Sequence, residues 1–540
     1  MLTESPRSTV SVHLHAPPSS SRDDRWQWWA SAVLIVGCWL LVFNQQRLEW
    51  TVNPTYSYGW AVPVLAGYLL WERWRTRPEA APSTTWFWWT IPVALLIAYL
   101  PIRVIQEANP DWVKINWYMT AVALGLTLSA AGAIGGLRYV LYFAFPVFFC
   151  YTALPWPVWM EEFFTQSLMK VNASACAELL TLFGQPAMAH GNLVQIGDAW
   201  VDVQEACSGI RSLQTAFMMS LFFGEFYRLG WIGRAGLLLS SFGVAFVLNL
   251  GRTYLLAHLT AVGGDALAEK WHDTVGLGVM FACLAALWAL AEMFQKRRRK
   301  PAPPTAPVLH MRPARAPFPL WLALAGVAWL GVSEAATEAW YRYHERQMPA
   351  PIAWDMAWPE DAENFRRTEF SERARALLKY NEATSAAWLG SEGNQWQAYY
   401  LRWYPGRVSK FLSGSHYPTV CLPATGLKLV AETGTLLCQV GGLTIPFRTY
   451  LFDRGGTDVY VYHAILEDVP SPESLIAYRQ AKSSERLQSV ARGERNLGQR
   501  VIGVAIAGPH SPEQAEADLE RMLGRMIHTD TPDFAFQVSP

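Results

Sequence analysis

Charged residues are scarce in this chain of 540 residues. Asp, Glu, Lys and Arg together make up 16% of it, whereas a soluble domain averages about a quarter. The shortfall is concentrated in the first 335 residues, which carry repeated apolar stretches of about 17 to 25 residues, long enough to cross a bilayer. The composition therefore excludes a wholly soluble protein and predicts a membrane domain followed by a soluble domain.

The sequence also lacks a net charge and the spacings of a metal site. Its 44 basic residues balance 44 acidic ones, averaged over a membrane half and a soluble half, so no nucleic-acid partner is indicated. No Cys or His pair stands at zinc-ligand spacing, and neither a metal nor another cofactor is predicted. Four of the seven cysteines are expected to be small apolar fillers, namely Cys38, Cys150, Cys176 and Cys283.

Nine apolar stretches are predicted to span the membrane. They cover residues 26–44, 58–72, 86–105, 117–136, 139–155, 208–226, 235–257, 274–294 and 318–336. We therefore expect an all-α polytopic membrane domain with about eight core helices over residues 26–295. A ninth helix follows a Pro- and Ala-rich cytoplasmic linker, residues 296–317, and the first 25 residues are expected to be disordered.

The basic residues of short loops predict the orientation. They are Arg22 and Arg25, then Arg73, Arg75 and Arg77, then Arg138, then Arg228 and Arg234, and finally the run 296–300. All of them lie on one side if the N-terminus is cytoplasmic. The loops 45–57, 106–116, 156–207 and 258–273, and everything after about residue 337, then lie outside the cytoplasm.

The long outer loop 156–207 is predicted to have two parts. Val158 to Phe183 has the apolar spacing of a helix with polar residues interspersed, which favours a helix along the membrane surface. Gly191 to Glu205 alternates apolar and polar residues, which predicts a hairpin that turns at Gly197-Asp198. The hairpin leads directly to Cys207.

Cys207 differs from the other membrane-half cysteines because its neighbours are small and polar. We expect it in the first turn of the sixth span, where unpaired backbone N–H groups and the helix dipole favour a thiolate. Ser208 and Gly209 leave room for a substrate backbone to approach. The pattern fits a reactive thiol, and the alternative is another apolar filler.

Two further polar residues are predicted at the outer ends of the next two spans. Arg252 lies near the end of the seventh, where an arginine needs a partner or a water-filled cavity. A snorkelling side chain or an ion pair with Glu205 is the alternative. His272 begins the eighth span and, taken alone, fits an interfacial histidine. With Cys207 on the same side, the three residues together indicate thiol chemistry.

Arg211 follows Cys207 by four residues, which places both on one face of a helix. Its guanidinium is expected to hold the thiolate by charge, to bind a carboxylate, or to form a buried structural ion pair. The residues themselves leave these three readings open.

Short motifs occur in order along the membrane half. They are Glu49-Trp50, Tyr56-Ser57-Tyr58-Gly59-Trp60, Val62-Pro63, Phe145-Pro146, Leu154-Pro155-Trp156-Pro157, Ala206-Cys207-Ser208-Gly209-Ile210-Arg211-Ser212, Asn249-Leu250-Gly251-Arg252 and Trp271-His272-Asp273. In this order they resemble the exosortases, the bacterial relatives of the archaeosortases, over about residues 26–295. One departure is Tyr58, where the family usually has His.

The resemblance implies a role for each site residue. Cys207 would be the nucleophile, Arg252 would stabilise the oxyanion, and His272 would be the acid and base. Four residues would support the site or bind substrate, namely Arg211, Ser208, Asn249 and Glu205. Substrates would be exported proteins with a C-terminal Pro-Glu-Pro-like motif, a spanning helix and a basic tail, linked to surface sorting and exopolysaccharide. The enzyme would lie in the bacterial inner membrane, among its lipids, with water, an amine or a sugar as acceptor.

Residues 337–540 are predicted to form a periplasmic α+β domain. Its strands are expected at Gln395–Trp403, Leu427–Glu432, Leu436–Phe447 and Asp458–His463, and its helices at Ser474–Arg492 and Ser511–Ile527. The run from Ser415 to Gly426 resembles the exosortase-associated domain. Its His416 and Cys421 are candidates for a second catalytic pair. A Cys421–Cys438 disulfide and a docking loop are the alternatives.

Two other functions fit the membrane half. A non-catalytic component of polysaccharide assembly would share the apolar spans, and Cys207 would then be replaceable. A thiol acyltransferase acting on lipid would need Cys207 and His272 but would cut no protein. Removal of a C-terminal helix from a protein substrate would distinguish the peptidase function from these two.

Overall fold

The computed structural model describes residues 22–80, 86–197, 199–202, 209–296, 316–348, 353–370, 372–390, 392–414, 417–419, 422, 427–441, 443–468, 483–508 and 511–529. Its membrane half is helical: α1 (Arg22–Val52), α2 (Val62–Arg75), α3 (Phe87–Ala108), α4 (Val113–Phe148), α5 (Val158–Leu182), α6 (Ile210–Phe226), α7 (Trp231–Lys296) and α8 (Leu320–Glu345). Short 3-10 helices cover Pro54–Trp60 and Phe149–Ala153. Long apolar runs form helices because a helix satisfies its backbone polar groups internally, as hydrocarbon requires.

In the described part of the chain, six helices are long and apolar enough to cross a membrane. They are Arg25–Val52, Phe87–Ala108, Val113–Ala153, Trp231–Gly264, Lys270–Lys296 and Leu320–Glu345. The expected polytopic helical domain is confirmed, and the count of nine spans stays a prediction. α2 and α6, predicted as spans 58–72 and 208–226, have only 14 and 17 residues. Two expected spans lie within α4, which breaks where Gly136 adopts φ 66° and ψ −162°.

The predicted outer loop 258–273 is helical instead. The seventh and eighth spans continue toward each other within α7 and meet at Gly264, which has φ 74° and ψ 178°. A residue with a side chain rarely adopts this conformation, so the glycine allows the turn between the two helices. Arg252 and His272 therefore lie inside a helical hairpin rather than at the ends of two spans.

The arginines predicted for the cytoplasmic side meet at one end of the bundle. Arg73 Nε lies 2.6 Å from Glu225 Oε1, and Arg234 Nη2 lies 2.7 Å from Glu225 Oε2. Arg228 Nη2 donates to Thr76 Oγ1 at 2.9 Å. We call these residues the basic end. The predicted orientation places the loops that carry these arginines on the same side of the membrane, and their convergence agrees with that prediction.

Between α5 and α6 lies a small antiparallel sheet of β1 (Ala187–His190), β2 (Leu193–Ile196) and β3 (Ala199–Asp202). β2 pairs with β3 across Gly197, which has φ 59°, so the predicted hairpin is confirmed. β1 adds a strand that the sequence interpretation missed. The helix expected at Val158–Phe183 is confirmed as α5.

The C-terminal domain is built on a seven-stranded antiparallel sheet. Its strands are β5 (Glu363–Thr368), β6 (Glu382–Leu389), β7 (Gln395–Trp403), β8 (Lys428–Val440), β9 (Leu443–Arg454), β10 (Thr457–Glu467) and β11 (Gln499–Ala507), in the order β5-β6-β7-β11-β10-β9-β8. A short pair joins β4 (Trp354–Met356) to β12 (Ile527–Thr529). The helices are α9 (Glu372–Leu378), α10 (Ser409–Ser413), α11 (Ser483–Ala491) and α12 (Pro512–Met526). The predicted α+β class is confirmed.

Several predicted elements of this domain hold and others do not. The strand Gln395–Trp403 is β7, and Ser511 caps α12 by accepting from Gln514 N. The strand Leu436–Phe447 is wrong, because the chain turns at Gly441, with φ 55°, between β8 and β9. Cys438 is a free thiol with no exposed surface, so the alternative of a disulfide with Cys421 is not supported.

Charged side chains join the two halves. Glu107 at the end of α3 is 5% exposed, and it lies 3.0 Å from Arg407 Nη2 and 3.1 Å from Arg495 Nη1 of the C-terminal domain. Arg486 of α11 binds Asp111 at 3.0 Å. Val52, the last residue of α1, packs against the cluster that contains Trp403 and Tyr417. The domain thus sits on the ends of α1 and α3.

Candidate active site

Arg252 and His272 are brought together by the two halves of α7. Arg252 Nη2 lies 3.0 Å from His272 Nε2. The two residues stand about 18 Å and 12 Å from Gly264 along their helices, so the turn at this glycine leaves them about 6 Å apart along the hairpin, and the long arginine side chain bridges this offset. Gly276 lies one turn beyond His272, and a Cβ there would be 3.4 Å from Arg252 Nη2. The missing side chain leaves room for the guanidinium.

The contacts of His272 define its tautomer. A guanidinium has only donors, so Nε2 must accept from Arg252 and carries no proton. His272 Nδ1 lies 3.1 Å from Asp273 Oδ1 and therefore donates to that carboxylate. The imidazole is neutral in this arrangement, and its basic nitrogen faces Arg252. Asp273 itself is fully exposed, at 103%, so solvent weakens its pairing with His272.

Gly209 and Asn249 connect the cysteine motif to the helix of Arg252. Gly209 has φ 88°, and a Cβ on it would lie 2.8 Å from Asn249 Nδ2. Asn249 is 2% exposed and stands one turn before Arg252. Thr253 Oγ1 donates to Asn249 O at 3.1 Å and accepts from Asn172 Nδ2 at 2.7 Å. The chain just before α6 is thus held against α7 and α5.

The helix α6 begins at Ile210, after the left-handed Gly209. The expectation that Cys207 occupies the first turn of this helix, one turn before Arg211, falls on residues outside the described part of the chain and stays a prediction. Cys207 itself lies outside the described residues, as do Ser208 and Glu205. The predicted pairing of Arg252 with Glu205 stays a prediction.

Arg211 lies close to the Arg252–His272 pair. Its Nη2 donates to Ser57 Oγ at 3.0 Å, and its charge interacts with those of Arg252 and Asp273. It forms no ion pair within 4.0 Å among the residues that the structure describes, and it is exposed. The reading of Arg211 as a buried structural ion pair stays a prediction, since residues 203–208 lie outside the described part of the chain. We call Ser57, Arg211, Arg252 and His272 the site end.

Tyr56 and Tyr58 of the first motif are structural. Tyr56 OH accepts from Trp156 N at 2.9 Å and donates to Glu161 Oε2 at 3.1 Å. Tyr58, at the position where exosortases usually have His, donates from its hydroxyl to Thr152 O at 3.0 Å. The substitution therefore ties the motif to the loop after α4 rather than adding a titratable group to the site.

Sequence reasoning assigned no role to Ser57, Asp273 or Gly276, although all three contact site residues. The adjacent His272-Asp273 dipeptide was a signal for an imidazole–carboxylate pair. Ser57 and Arg211 stand 154 residues apart, so no local pattern indicates their hydrogen bond.

In the C-terminal domain, His416 and Cys421 lie outside the described residues. Their neighbour Tyr417 stacks near His463 of β10, with ring centroids 5.6 Å apart. His463 is 2% exposed. Burial, with a smaller contribution from the Arg448 guanidinium, lowers the pKa of His463 to about 4. This imidazole is neutral at pH 7, and no sequence pattern marked it.

The membrane half matches a family model, and its geometry agrees with the motifs of that family. Residues 50–289 match the model of the transmembrane exosortase (Exosortase_EpsH). This range contains all the site-end residues. No curated protein and no solved structure matches the chain. The match does not extend to the C-terminal domain. With its helical bundle and its arginine and histidine motifs in order, the membrane part of this chain is similar to the transmembrane exosortases over residues 50–289.

Proposed function

We propose that this protein is a membrane-embedded cysteine peptidase or transpeptidase that removes C-terminal Pro-Glu-Pro-type sorting signals from exported proteins. The observation that carries the proposal is the contact of 3.0 Å between Arg252 and His272. A neutral imidazole beside a guanidinium supplies both a base and an oxyanion donor. Gly209, two residues after Cys207, packs against Asn249 on the same helix, which supports a common site.

The first step forms an acyl-enzyme. His272 Nε2 takes the proton of the Cys207 thiol, and the thiolate sulfur attacks the carbonyl carbon of the scissile peptide. The carbonyl π electrons move to oxygen, and Arg252 donates to the oxyanion in place of its contact with His272. Asp273 then stabilises the imidazolium through Nδ1. No net charge is created, since the proton moves from sulfur to nitrogen.

The second step releases the signal. The tetrahedral intermediate collapses, the carbon–nitrogen bond breaks, and His272 gives its proton to the leaving amine. The product is a thioester on Cys207 and a free C-terminal segment. Water, or an amine or sugar acceptor, then attacks the thioester carbonyl. Neutral His272 takes a proton from the attacking group. The sulfur leaves and recovers the proton from His272.

Orientation supports the location of this chemistry. The basic end and the site end are separated along α6, where Arg211 and Glu225 stand about 21 Å apart. If the basic end is cytoplasmic, the site end faces the periplasm across the inner membrane. A substrate helix with a basic tail would run parallel to the bundle, and its motif would lie beside Arg252.

The test is co-expression with an exported protein that carries a Pro-Glu-Pro-type signal, with intact mass and membrane anchoring as readouts. Cys207→Ala, His272→Asn and Arg252→Gln should each reduce processing by about 10³-fold or more. Cys283→Ala, at a buried cysteine away from the site, is the matched control and should process normally. Any mass added to the product identifies the acceptor.

Equal processing by wild type and Cys207→Ala would remove the nucleophile assignment. The non-catalytic role in polysaccharide assembly would then replace this proposal. Loss of a lipid modification without cleavage of any protein would instead favour the acyltransferase.

A further inference from the structure

Arg211 stands at the mouth of the site with its charge uncompensated by a bound carboxylate in the described part of the chain. Among the described residues it donates to the neutral hydroxyl of Ser57 at 3.0 Å. A guanidinium has five N–H donors in a planar fork, so one bond to Ser57 leaves most of its donors available. The hydroxyl fixes one nitrogen and thereby orients the fork.

The surroundings of Arg211 favour an anion. Arg252 repels it, and the attraction of Asp273 is shared with His272. The N-terminus of α6 lies at the same place, and Gly209 provides no side-chain cap for its N–H groups. Two guanidinium charges and a helix N-terminus together create a positive potential. An oxyanion ligand between them would relieve the repulsion between the two arginines.

We propose that Arg211 is a specificity-determining residue that binds the acidic side chain of the sorting signal through a forked contact. This inference rests on the proposed function, because it names what that site recognises. Arg252 and His272 act on the scissile peptide, and Arg211 lies near them because Gly209, two residues before it, packs against Asn249, one turn before Arg252. A side chain flanking that peptide therefore reaches Arg211. A planar guanidinium matches a carboxylate in two parallel hydrogen bonds.

The phosphate of an anionic lipid is the other source of an oxyanion at a membrane surface. The two sources differ in what a change to the signal does. If the ligand is the signal's carboxylate, replacing Arg211 reduces processing only of signals that carry that carboxylate. If the ligand is a lipid phosphate, replacing Arg211 reduces processing of every signal equally.

The experiment compares signals with Glu, Gln or Lys at the acidic position, using wild type, Arg211→Gln and Arg211→Glu. Wild type should process the Glu signal about 10- to 100-fold better than the Gln signal in kcat/KM, as a charge-assisted hydrogen bond predicts. Arg211→Gln should lower kcat/KM only for the Glu signal, to the value that wild type has for the Gln signal. Arg211→Glu should prefer the Lys signal over the Glu signal by about tenfold.

Binding is measured separately in the Cys207→Ala background, with labelled uncleaved signal peptides in detergent micelles. Adding Arg211→Gln should raise the Kd of the Glu peptide about 10- to 100-fold and leave that of the Gln peptide unchanged. Arg228→Gln, at an exposed arginine of the basic end, is the matched control and should alter neither Kd.

Equal losses for all signals on Arg211→Gln would overturn the inference and assign Arg211 to lipid or to structure. An unchanged Glu preference in that variant would also overturn it. If wild type cleaves none of the signals, the proposed function fails. The binding measurement then decides on Arg211 alone, because a selective effect on the Glu peptide supports it and equal effects reject it.

Discussion

At the basic end of the bundle, Arg73 and Arg234 share the carboxylate of Glu225, which is 4% exposed. At the site end, Arg211 contacts a hydroxyl and Arg252 contacts an imidazole. Removing one partner from a buried ion pair leaves an uncompensated charge, so arginines of the first kind stabilise the fold. Arg211 keeps N–H donors available for a ligand, because one bond to a hydroxyl engages only one of its nitrogens. The same residue type therefore stabilises the fold at one end, and our proposal assigns it to recognition at the other.

The C-terminal domain presents a third arrangement. Its Arg407 and Arg495 also lie at the site end of the helices, but both bind Glu107, as does Arg103 of α3. Arg495 adds Glu338 and Glu345 of α8. Proximity to the site therefore does not leave an arginine without a carboxylate. The difference lies in the acidic residues at the ends of α3 and α8.

The largest expected difference in stability between the two ends is at Arg73. Arg73→Gln leaves Glu225 with one partner in place of two, and we expect a loss of about 3 to 5 kcal/mol in the free energy of unfolding. Arg211→Gln should cost less than about 1 kcal/mol, because the side chain is exposed and forms no ion pair with a described residue. Thermal unfolding in detergent checks both values.

The control is the pair Arg73→Gln with Glu225→Gln, which should recover part of the lost stability because the buried carboxylate is no longer charged, although Arg234 loses its partner. Similar losses for Arg73→Gln and Arg211→Gln would mean that the two ends do not differ in the way described.

A second prediction concerns the junction between the halves. Glu107→Gln removes the charge that three arginines share, and we expect about 2 to 3 kcal/mol less stabilisation of the docked domain. Hydrogen exchange in α10 and α11, which contact the ends of the membrane helices, should accelerate about 30- to 100-fold. Glu382→Gln, at a half-exposed carboxylate of the sheet, is the control and should leave exchange in both helices unchanged. Unaltered exchange in Glu107→Gln would contradict the role of this carboxylate in docking.

The smallest expected effect is a pH dependence from His463. Its pKa is about 4 in the folded protein and 6.5 in the unfolded chain, so the unfolded state binds the proton more readily. Its contribution to stability is complete above pH 6.5 and is lost as the pH falls through 4. The loss should reach about 2 kcal/mol at pH 5. His463→Phe should remove this part of the dependence, as thermal unfolding at pH 7, 6 and 5 would reveal.

Other charged and titratable groups lie near His463, and the control must separate their pH dependence from that of the histidine. Arg448 lies opposite it on β9 and binds Glu432, while Tyr417 covers its ring. Burial raises the pKa of Glu467 on the same strand, which contributes to stability with the opposite sign and equally in both proteins. The difference between wild type and His463→Phe therefore isolates the histidine. Parallel pH profiles for the two proteins would refute its titration.

Much of the membrane fold was predictable because long apolar runs have few alternatives in a bilayer. The spans at 86–105 and 318–336 match α3 and α8 closely. The helical conformation of 258–273 was not predictable from apolar runs, since polar residues interrupt them in this segment. The strand predicted across Gly441 was wrong because alternation continues through a tight turn. β5, β6 and β11 were missed, and the sheet provides the pairing partners that stabilise them.

The sequence by itself determined the class of the protein. Its apolar runs require helices, and its motifs around Cys207, Arg252 and His272 give the resemblance to the exosortases, since these properties belong to single segments. Only the tertiary structure decided that Arg252 meets His272, that Ser57 orients Arg211, and that Glu107 joins the two halves. The physical reason is that these contacts join residues of different elements or, for Arg252 and His272, of the two halves of α7. Which side chains meet depends on how helices and sheet pack, and no local pattern specifies that packing.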